Sequence, residues 1–398
     1  MKITSIDVMQ LKTRSVGMFW DPVICRVNTD AGVYGYGEAA LAYGIGSSAA
    51  AGALKDFSGL VIGMHPIENE VIWNKLHRET MWAQNGGAAF FAAISAIDMA
   101  VWDIKGKFYD QPVHVLLGGK LRSKLRSYAS QLHFGWGSSL EEATSLEDYD
   151  YACRRALDEG FDAVKIDYLT FDSSRRRFRP EETTRLLPPS ILDLVESRLE
   201  QTRRTMGSGD IIIEAHSNTD VASAIQIGKR AEKYGIFFYE EPTDPSPLLH
   251  KRVADAVSIP LASGERIYGR GEYVPYIEQG ILGVVQPDLG TCGGITEAKK
   301  IGDMASTYNV GVQVHACGTG ISTAAALQVE AALPSFVIHE HHVINRMKWN
   351  KELCCHDYQP VDGSFDIPDI PGIGNELSDF ALNNARVHTV SERRERLS

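Results

Sequence analysis

The chain lacks the basic excess that nucleic-acid binding requires. Its 40 Lys and Arg are outnumbered by 51 Asp and Glu, a formal net charge of −11, whereas contact with phosphodiester backbones needs basic surface to displace counterions. A small acidic ligand stays open, because a local group of cations overrides the global sign. No apolar run approaches the roughly 18 residues that would span a bilayer. The first residues, MKITSIDVMQLKTRS, have no apolar core of signal-peptide length, so a cytoplasmic protein with no membrane partner is expected. Cysteine is sparse. Cys25, Cys153, Cys292, Cys317, Cys354 and Cys355 form no C-x-x-C pair and no framework spacing, which reads as free thiols in a reducing compartment. The adjacent Cys354 and Cys355 would make only a strained disulfide, so both are read as reduced. Aromatics are 9% of a chain that is 44% hydrophobic, ordinary for a soluble globular protein. Also absent is the G-x-G-x-x-G turn expected of an open doubly wound sheet.

A chain of 398 residues exceeds one ordinary domain and suits one large barrel plus a smaller unit. Residues 2–11 alternate as a strand, 22–28 form another, and Thr29-Asp30-Ala31-Gly32 supplies hairpin chemistry before a returning strand at 33–39. Residues 88–109, AAFFAAISAIDMAVWDIKGKFY, carry small and large apolar residues on more than one face, the mark of a buried helix. From about residue 125 the rhythm becomes strand–helix repeated. Strands are expected at 125–129, 163–167, 211–214, 237–240, 261–265, 283–286, 310–315 and 336–340, with helices such as 220–234 and 296–308 between them. Eight such steps favour a closed (β/α) barrel over an open sheet. The organisation read from this is an α+β unit over 1–124, a barrel over 125–345, and a polar, loop-rich tail over 346–398. In that tail the turn-dense run Asp369-Ile370-Pro371-Gly372-Ile373-Gly374 is placed to fold back on the first unit.

Three glutamates recur in the strand-like runs at intervals of 26 and 25 residues: Glu214 in IIIEAH, Glu240 in IFFYEEP and Glu265 in IPLASGER. Those intervals match one strand–helix unit, which sets the three side by side at the ends of consecutive parallel strands. An acidic residue after a strand is usually a cap or loop residue. Three in phase are different, because inward carboxylates without a cation repel one another, and hard oxygen donors describe a Mg²⁺ site. The series continues with Asp288 in GVVQPDLG and His315 in VGVQVHACGTG. A divalent ion chelating a substrate carboxylate favours loss of the α-proton. His315 supplies the base, with Asp288 fixing its tautomer and raising its basicity.

On these residues the chain resembles the enolase superfamily, in its mandelate racemase-like subgroup. The likeness runs through the GYGE strand (35–38), ISAIDMAVWDIKGK, LLGG (116–119), FDAVKID, the three metal strands, GGIT (293–296) and the PGIG tail. It implies a modified (β/α)₇β barrel with an N-terminal α+β capping domain completed by the C-terminal tail. It also implies a His or Lys base working with Mg²⁺, which is the superfamily's general chemistry, and a symmetric homo-oligomer. Phe19, Trp20 and the Tyr43 region would then be specificity elements of the capping loops, plain core packing being the alternative. Racemases of the family carry K-x-K at the second barrel strand, where the second lysine is the opposing base. This chain has Lys165-Ile166-Asp167, so that base is missing, while Lys165 stays among the catalytic candidates and Asp167 among those that hold substrate. Cycloisomerases of the muconate type need a lysine where this chain has Asp288. The third strand reads Glu214-Ala215-His216, and galactonate- and mannonate-type dehydratases have an acidic ligand and a histidine in this relation. In them that histidine protonates the departing β-hydroxyl. Most relatives have Asp where this chain has Glu214, one methylene longer.

Residues 171–190 read as an insertion whose Arg175, Arg176, Arg177 and Arg179 would stand near the barrel mouth. They form either a solvated loop face or a lid holding an anionic polyhydroxy acid, with Arg175 and Arg177 as the substrate-binding candidates. The run His339-Glu340-His341-His342 tempts a zinc assignment, but neighbours on a strand point to opposite faces. Glu340 alone resembles the family's eighth-strand acid, which hydrogen-bonds the substrate carboxylate. The expected activity is a Mg²⁺-dependent dehydratase, one ion per subunit, turning an aldonate or aldarate into a 2-keto-3-deoxy acid. The alternatives are a racemase or epimerase of a 2-hydroxy acid, and a catalytically silent sugar-acid binding protein.

Overall fold

The computed structural model describes residues 1–13 and 20–391; Phe19 lies outside the described residues. The N-terminal unit is an antiparallel sheet of β1 (Ile3–Leu11), β2 (Val23–Thr29) and β3 (Tyr34–Ala39). The β2–β3 turn closes at Gly32, whose φ of 76° suits glycine. Across this sheet lies the helix Ala88–Tyr109, buried around most of its circumference. It lies so close that a Cβ on Gly37 would fall 2.0 Å from the Ala96 carbonyl oxygen, and one on Gly35 2.2 Å from that of Ala100. The glycines of the GYGE segment thus let helix and strand touch backbone to backbone.

The barrel strands follow in order: β4 (Lys124–Ser130), β5 (Ala163–Asp167), β6 (Asp210–Glu214), β7 (Ile236–Glu240), β8 (Leu261–Ser263), β9 (Val284–Val285), β10 (Gly311–Val312) and β11 (His339–His342). All pair in parallel, with β11 returning to β4. A bridge from Val312 to Phe336, just ahead of β11, closes the ring. This is the expected (β/α) barrel with its antiparallel cap. Three strands are shorter than the sequence implies. Expected to reach 265, 286 and 315, their ladders end at Ser263, Val285 and Val312. Beyond those ends the chain splays toward the mouth, and Asp288 and His315 meet as an isolated bridge. Along each strand the side chains alternate. Tyr128, Ala163, Ile212, Phe238, Ala262, Val284 and Ile338 form one apolar cluster. Two residues further along several of these strands, on the same face, come Ser130, Lys165, Glu214, Glu240 and Glu340. An apolar plug therefore sits under a charged layer.

The tail departs from the loop-rich expectation. After β12 (Ser364–Asp366), antiparallel to β4, it forms β13 (Ala385–Val390), which adds to the free edge of β1 in antiparallel register. The segment ARVHTV is mostly exposed, so it lacks the apolar alternation that marks a strand, and pairing with β1 supplies what its pattern does not. Before it, Gly372 donates its N–H to Gln111 and accepts from Val113, while Ile373 N–H donates to Asp103 Oδ1 at 2.9 Å. All six cysteines are free. Among the described residues no helix is long and apolar enough to cross a membrane.

Buried carboxylates latch the two units together. Glu38 accepts from Thr319 and Ser322. Asp98 accepts from the Thr296 N–H at 2.9 Å and its hydroxyl at 2.5 Å. Burial pushes the Asp98 carboxyl up to about 7 despite those hydrogen bonds. A carboxyl that binds its proton more tightly when folded adds stability below its unfolded pKa, near 4, and loses it as pH rises toward 7. Asp98→Asn removes that dependence, so its melting temperature relative to the parent should rise steadily from pH 5 to 7. The slope is roughly 1 kcal/mol per pH unit. Parallel melting curves across that range would show that Asp98 ionises normally.

Candidate active site

At the centre of the charged layer stands Lys165. Its Nζ lies 2.5 Å from Glu240 Oε1, 3.0 Å from Glu214 Oε2 and 3.0 Å from Glu340 Oε1, and its side chain has no exposed surface. Burial alone would lower the lysine pKa, but Glu240 and Glu340 hold it well above the usual range. An ammonium surrounded by carboxylates in low dielectric is strongly held in the charged form. Glu340 also accepts from Ser130 Oγ at 2.6 Å and from the Ala316 N–H at 3.1 Å. One ammonium does not quiet this layer: burial and the facing Glu214 drive the Glu240 pKa well upward.

Above this layer two histidine–carboxylate pairs face each other across one cavity. His315 Nδ1 lies 2.7 Å from Asp288 Oδ2, and the other Asp288 oxygen accepts from the Gly290 N–H at 2.6 Å. His315 Nε2 is 3.0 Å from Glu265 Oε2. Burial opposes protonation, but Glu265, Glu340 and Asp288 together raise the His315 pKa well above its ordinary value. On the opposite side His216 Nδ1 lies 2.9 Å from Asp167 Oδ2. Against the same opposing burial, Glu214 and Asp167 raise its pKa to about 9. His216 and Ser217 have φ of 47° and 54°, a left-handed stretch unusual for residues other than glycine. Glu214 Oε1 accepts from the His216 N–H at 2.9 Å and so ties down that turn.

The cavity, about 590 Å³, is lined by both histidines, by Asp167, Asp288 and Glu265, and by Trp20 and Tyr43 from the N-terminal unit. Trp20 is buried, its ring 6.2 Å from that of Trp349, so it both packs and lines. Arg177 also lines the cavity. Its guanidinium stacks on Phe134 and Phe171 at 5.6 and 5.4 Å, with no ion-pair partner among the described residues. Arg175 does not reach it and borders a separate hollow beside Gly137 and Asp148. Arg176 and Arg179 pair with Glu182 at the surface. Lys165, Glu214, Glu240 and Glu340 lie beneath the cavity and are not part of its lining. Of the HEHH run, His339 bonds Glu330, His341 packs between Trp136 and Phe161, and His342 alone joins the cavity wall. Gln131, His133 and Arg266 also line it and were not read from the sequence. Arg266, next to Glu265, bridges Glu241 and Glu265 at 2.9 and 3.1 Å. Gln131 stands just past β4, a strand-end position of the kind that carries sites in barrels.

The donor chemistry of Glu214, Glu240 and Glu265 suits a hard divalent cation. Glu240 Oε2 is buried and accepts no hydrogen bond, and neither does Glu214 Oε2 despite its distance to Lys165. Two unpartnered carboxylate oxygens under one cavity are what such an ion would satisfy. Glu265 points instead to His315 and Arg266. Among the described residues no three His, Cys, Asp or Glu side chains are gathered closely enough to enclose an ion. The residues fit Mg²⁺ by type and by unmet demand.

Residues 8–118 match the mandelate racemase/muconate lactonizing enzyme N-terminal domain, and residues 148–381 match the enolase C-terminal domain-like family. The chain is 31% identical to the D-galactarolactone cycloisomerase of Agrobacterium fabrum, covering 97% of this chain and 99% of that one. It is 32% identical to the D-galactonate dehydratase of Xanthomonas campestris pv. campestris, covering 97% and 94%. A solved structure of an enolase superfamily member from Salmonella Typhimurium superposes with a TM-score of 0.95 at 46% identity, covering 98% and 99%. With both halves of the barrel-and-cap architecture matched, the chain belongs to the mandelate racemase/muconate lactonizing enzyme family of the enolase superfamily.

Proposed function

We propose that this protein is a Mg²⁺-dependent hydro-lyase that converts an aldonate or aldarate to a 2-keto-3-deoxy acid. The reading is carried by the two opposed, carboxylate-bound histidines on one cavity, one nitrogen of each left to face a substrate. His315 Nε2 takes the α-proton as the C2–H bond breaks. His216 Nε2 gives a proton to the β-hydroxyl as the C3–O bond breaks, water leaves, and the resulting enol tautomerises to the 2-keto acid. Asp288 and Asp167 each hold the Nδ1 side, which fixes the rings and turns the Nε2 nitrogens toward the cavity. Glu214, Glu240 and Glu265 would hold the Mg²⁺, which when bound supplies positive charge against that developing on the substrate carboxylate. Arg177, stacked and without an acidic partner among the described residues, is placed for the anionic or polyhydroxy end of the substrate. The relatives that act on galactonate and galactarolactone support the acid-sugar class.

The test is a panel of mono- and diacid sugars scored for 2-keto acid, followed by His216→Asn. Dehydration should fall about 10²–10⁴-fold, the usual contribution of a general acid, while exchange of the α-proton with solvent deuterium persists. Near-normal dehydration in that variant would mean that His315 both removes the proton and returns it to the hydroxyl. Two histidines on opposite walls also suit racemisation of a 2-hydroxy acid, with His216 as the second base. Substrate recovered with inverted configuration and no keto product would establish that second reading.

A further inference from the structure

We infer that Gln131 binds the hydroxyl that leaves the substrate and aligns it with His216; this rests on the dehydratase reading. Gln131 follows β4 at the barrel mouth and holds φ of 71°, a left-handed backbone that a β-carbon disfavours. Such a conformation persists only where the surroundings fix it, and it turns this side chain into the cavity. The residue is 4% exposed. Its amide nitrogen lies 3.2 Å from His216 Nε2, a contact in which the unprotonated ring nitrogen accepts and which the amide must give up once Nε2 carries a proton; its amide oxygen is buried with no hydrogen-bond partner. Buried polar atoms are rarely left so.

Asp167 occupies His216 Nδ1, so Nε2 is the ring nitrogen that faces substrate, and it is the one Gln131 touches. A hydroxyl placed to take a proton from Nε2 therefore comes within reach of the same amide. The fit is chemical as well as spatial. A hydroxyl has one hydrogen to donate and lone pairs to accept. If its hydrogen goes to Gln131 Oε1, a lone pair is turned toward His216. That orientation is what protonation requires: the proton passes from Nε2 to the hydroxyl oxygen, the C3–O bond breaks, and the water formed stays bonded to Oε1 until it departs. Arg266 and His133 contact the same region but offer no buried unpartnered acceptor, since His133 Nδ1 already accepts from the Asp167 N–H at 3.1 Å.

The experiment compares two reactions of the Gln131→Leu variant with those of the parent enzyme. One is dehydration of the acid sugar in the panel that the parent dehydrates fastest. The other is deuterium exchange at C2 of its 3-deoxy counterpart, which has no hydroxyl to lose. Dehydration should fall roughly 10- to 100-fold, as expected from losing a buried hydrogen bond at the reacting group. Exchange of the 3-deoxy compound should change by less than about twofold, because His315 and the carboxylate site are untouched. A purely structural role would lower both reactions together, and that result, or undiminished dehydration, overturns the assignment. If the leucine variant does not fold, Gln131→Asn carries the same comparison. Asparagine suits the left-handed backbone, and its shorter amide no longer spans to the hydroxyl. A parent protein that dehydrates no acid sugar overturns the dehydratase reading and this assignment with it.

Discussion

Replacing His315 with asparagine should stop exchange of the substrate α-proton with solvent deuterium and lower dehydration by up to about 10⁴-fold, the upper range for a positioned base. Asparagine has nearly the same length and can still bond Asp288, so the 2.7 Å contact that anchors the ring has a replacement and folding is preserved. What is lost is the second nitrogen, now 3.0 Å from Glu265 Oε2 at the floor of the cavity. The second barrel strand does not replace it. Lys165 lies below, buried and bound to three carboxylates, and the second-strand position that holds the opposing base in racemases is Asp167, bonded to His216. Exchange followed by proton NMR in deuterium oxide gives the answer directly. Exchange that survives in His315→Asn would show that another group removes the α-proton, and the pairing of His315 as base with His216 as acid would have to be abandoned.

Chelation is expected to have an effect of similar size. EDTA should abolish turnover and Mg²⁺ restore it, while Glu240→Gln should weaken Mg²⁺ binding far more than it disturbs the fold. The physical basis is the charged layer. Glu214, Glu240 and Glu340 converge on the single ammonium of Lys165, and burial with like-charge repulsion pushes the Glu240 pKa well upward. A divalent ion relieves that repulsion, so binding should also raise the melting temperature of the parent protein, a readout independent of catalysis. In Glu240→Gln one negative charge is gone, and both the thermal shift and the calorimetric affinity should shrink. Full activity in a chelated, metal-free sample would refute the metal assignment. A thermal shift of equal size in the variant would place the ion elsewhere.

The strand–helix period of about 25 residues was enough to place eight strands, because a strand, its helix and two short loops have a nearly fixed length in any parallel barrel. The same period set Glu214 and Glu240 at strand ends, while Asp288 and His315 come just beyond theirs. The buried helix Ala88–Tyr109 was found to the residue, since a segment apolar on several faces has few other places to go. The strand Ala385–Val390 was missed because its partner, β1, lies more than 370 residues away, and an exposed edge strand needs no apolar alternation. The arginines of the inserted segment carried identical local signals in the sequence. Only packing separates them, with Arg177 stacked between Phe134 and Phe171 and Arg175 turned to another hollow.

Residue type and spacing along one strand are local properties, so the sequence was enough to set Glu214 and Glu240 at the carboxyl ends of their strands. By resemblance it also puts Asp167 where family racemases carry a lysine. Partnership is not local. That Lys165 lies against Glu214, Glu240 and Glu340, that Glu265 turns to His315 and Arg266, and that Gln131 touches His216 depends on side chains from strands far apart in the chain. Those contacts follow from how the barrel closes and how its charges neutralise one another in a space that excludes water, and no spacing along one strand encodes them.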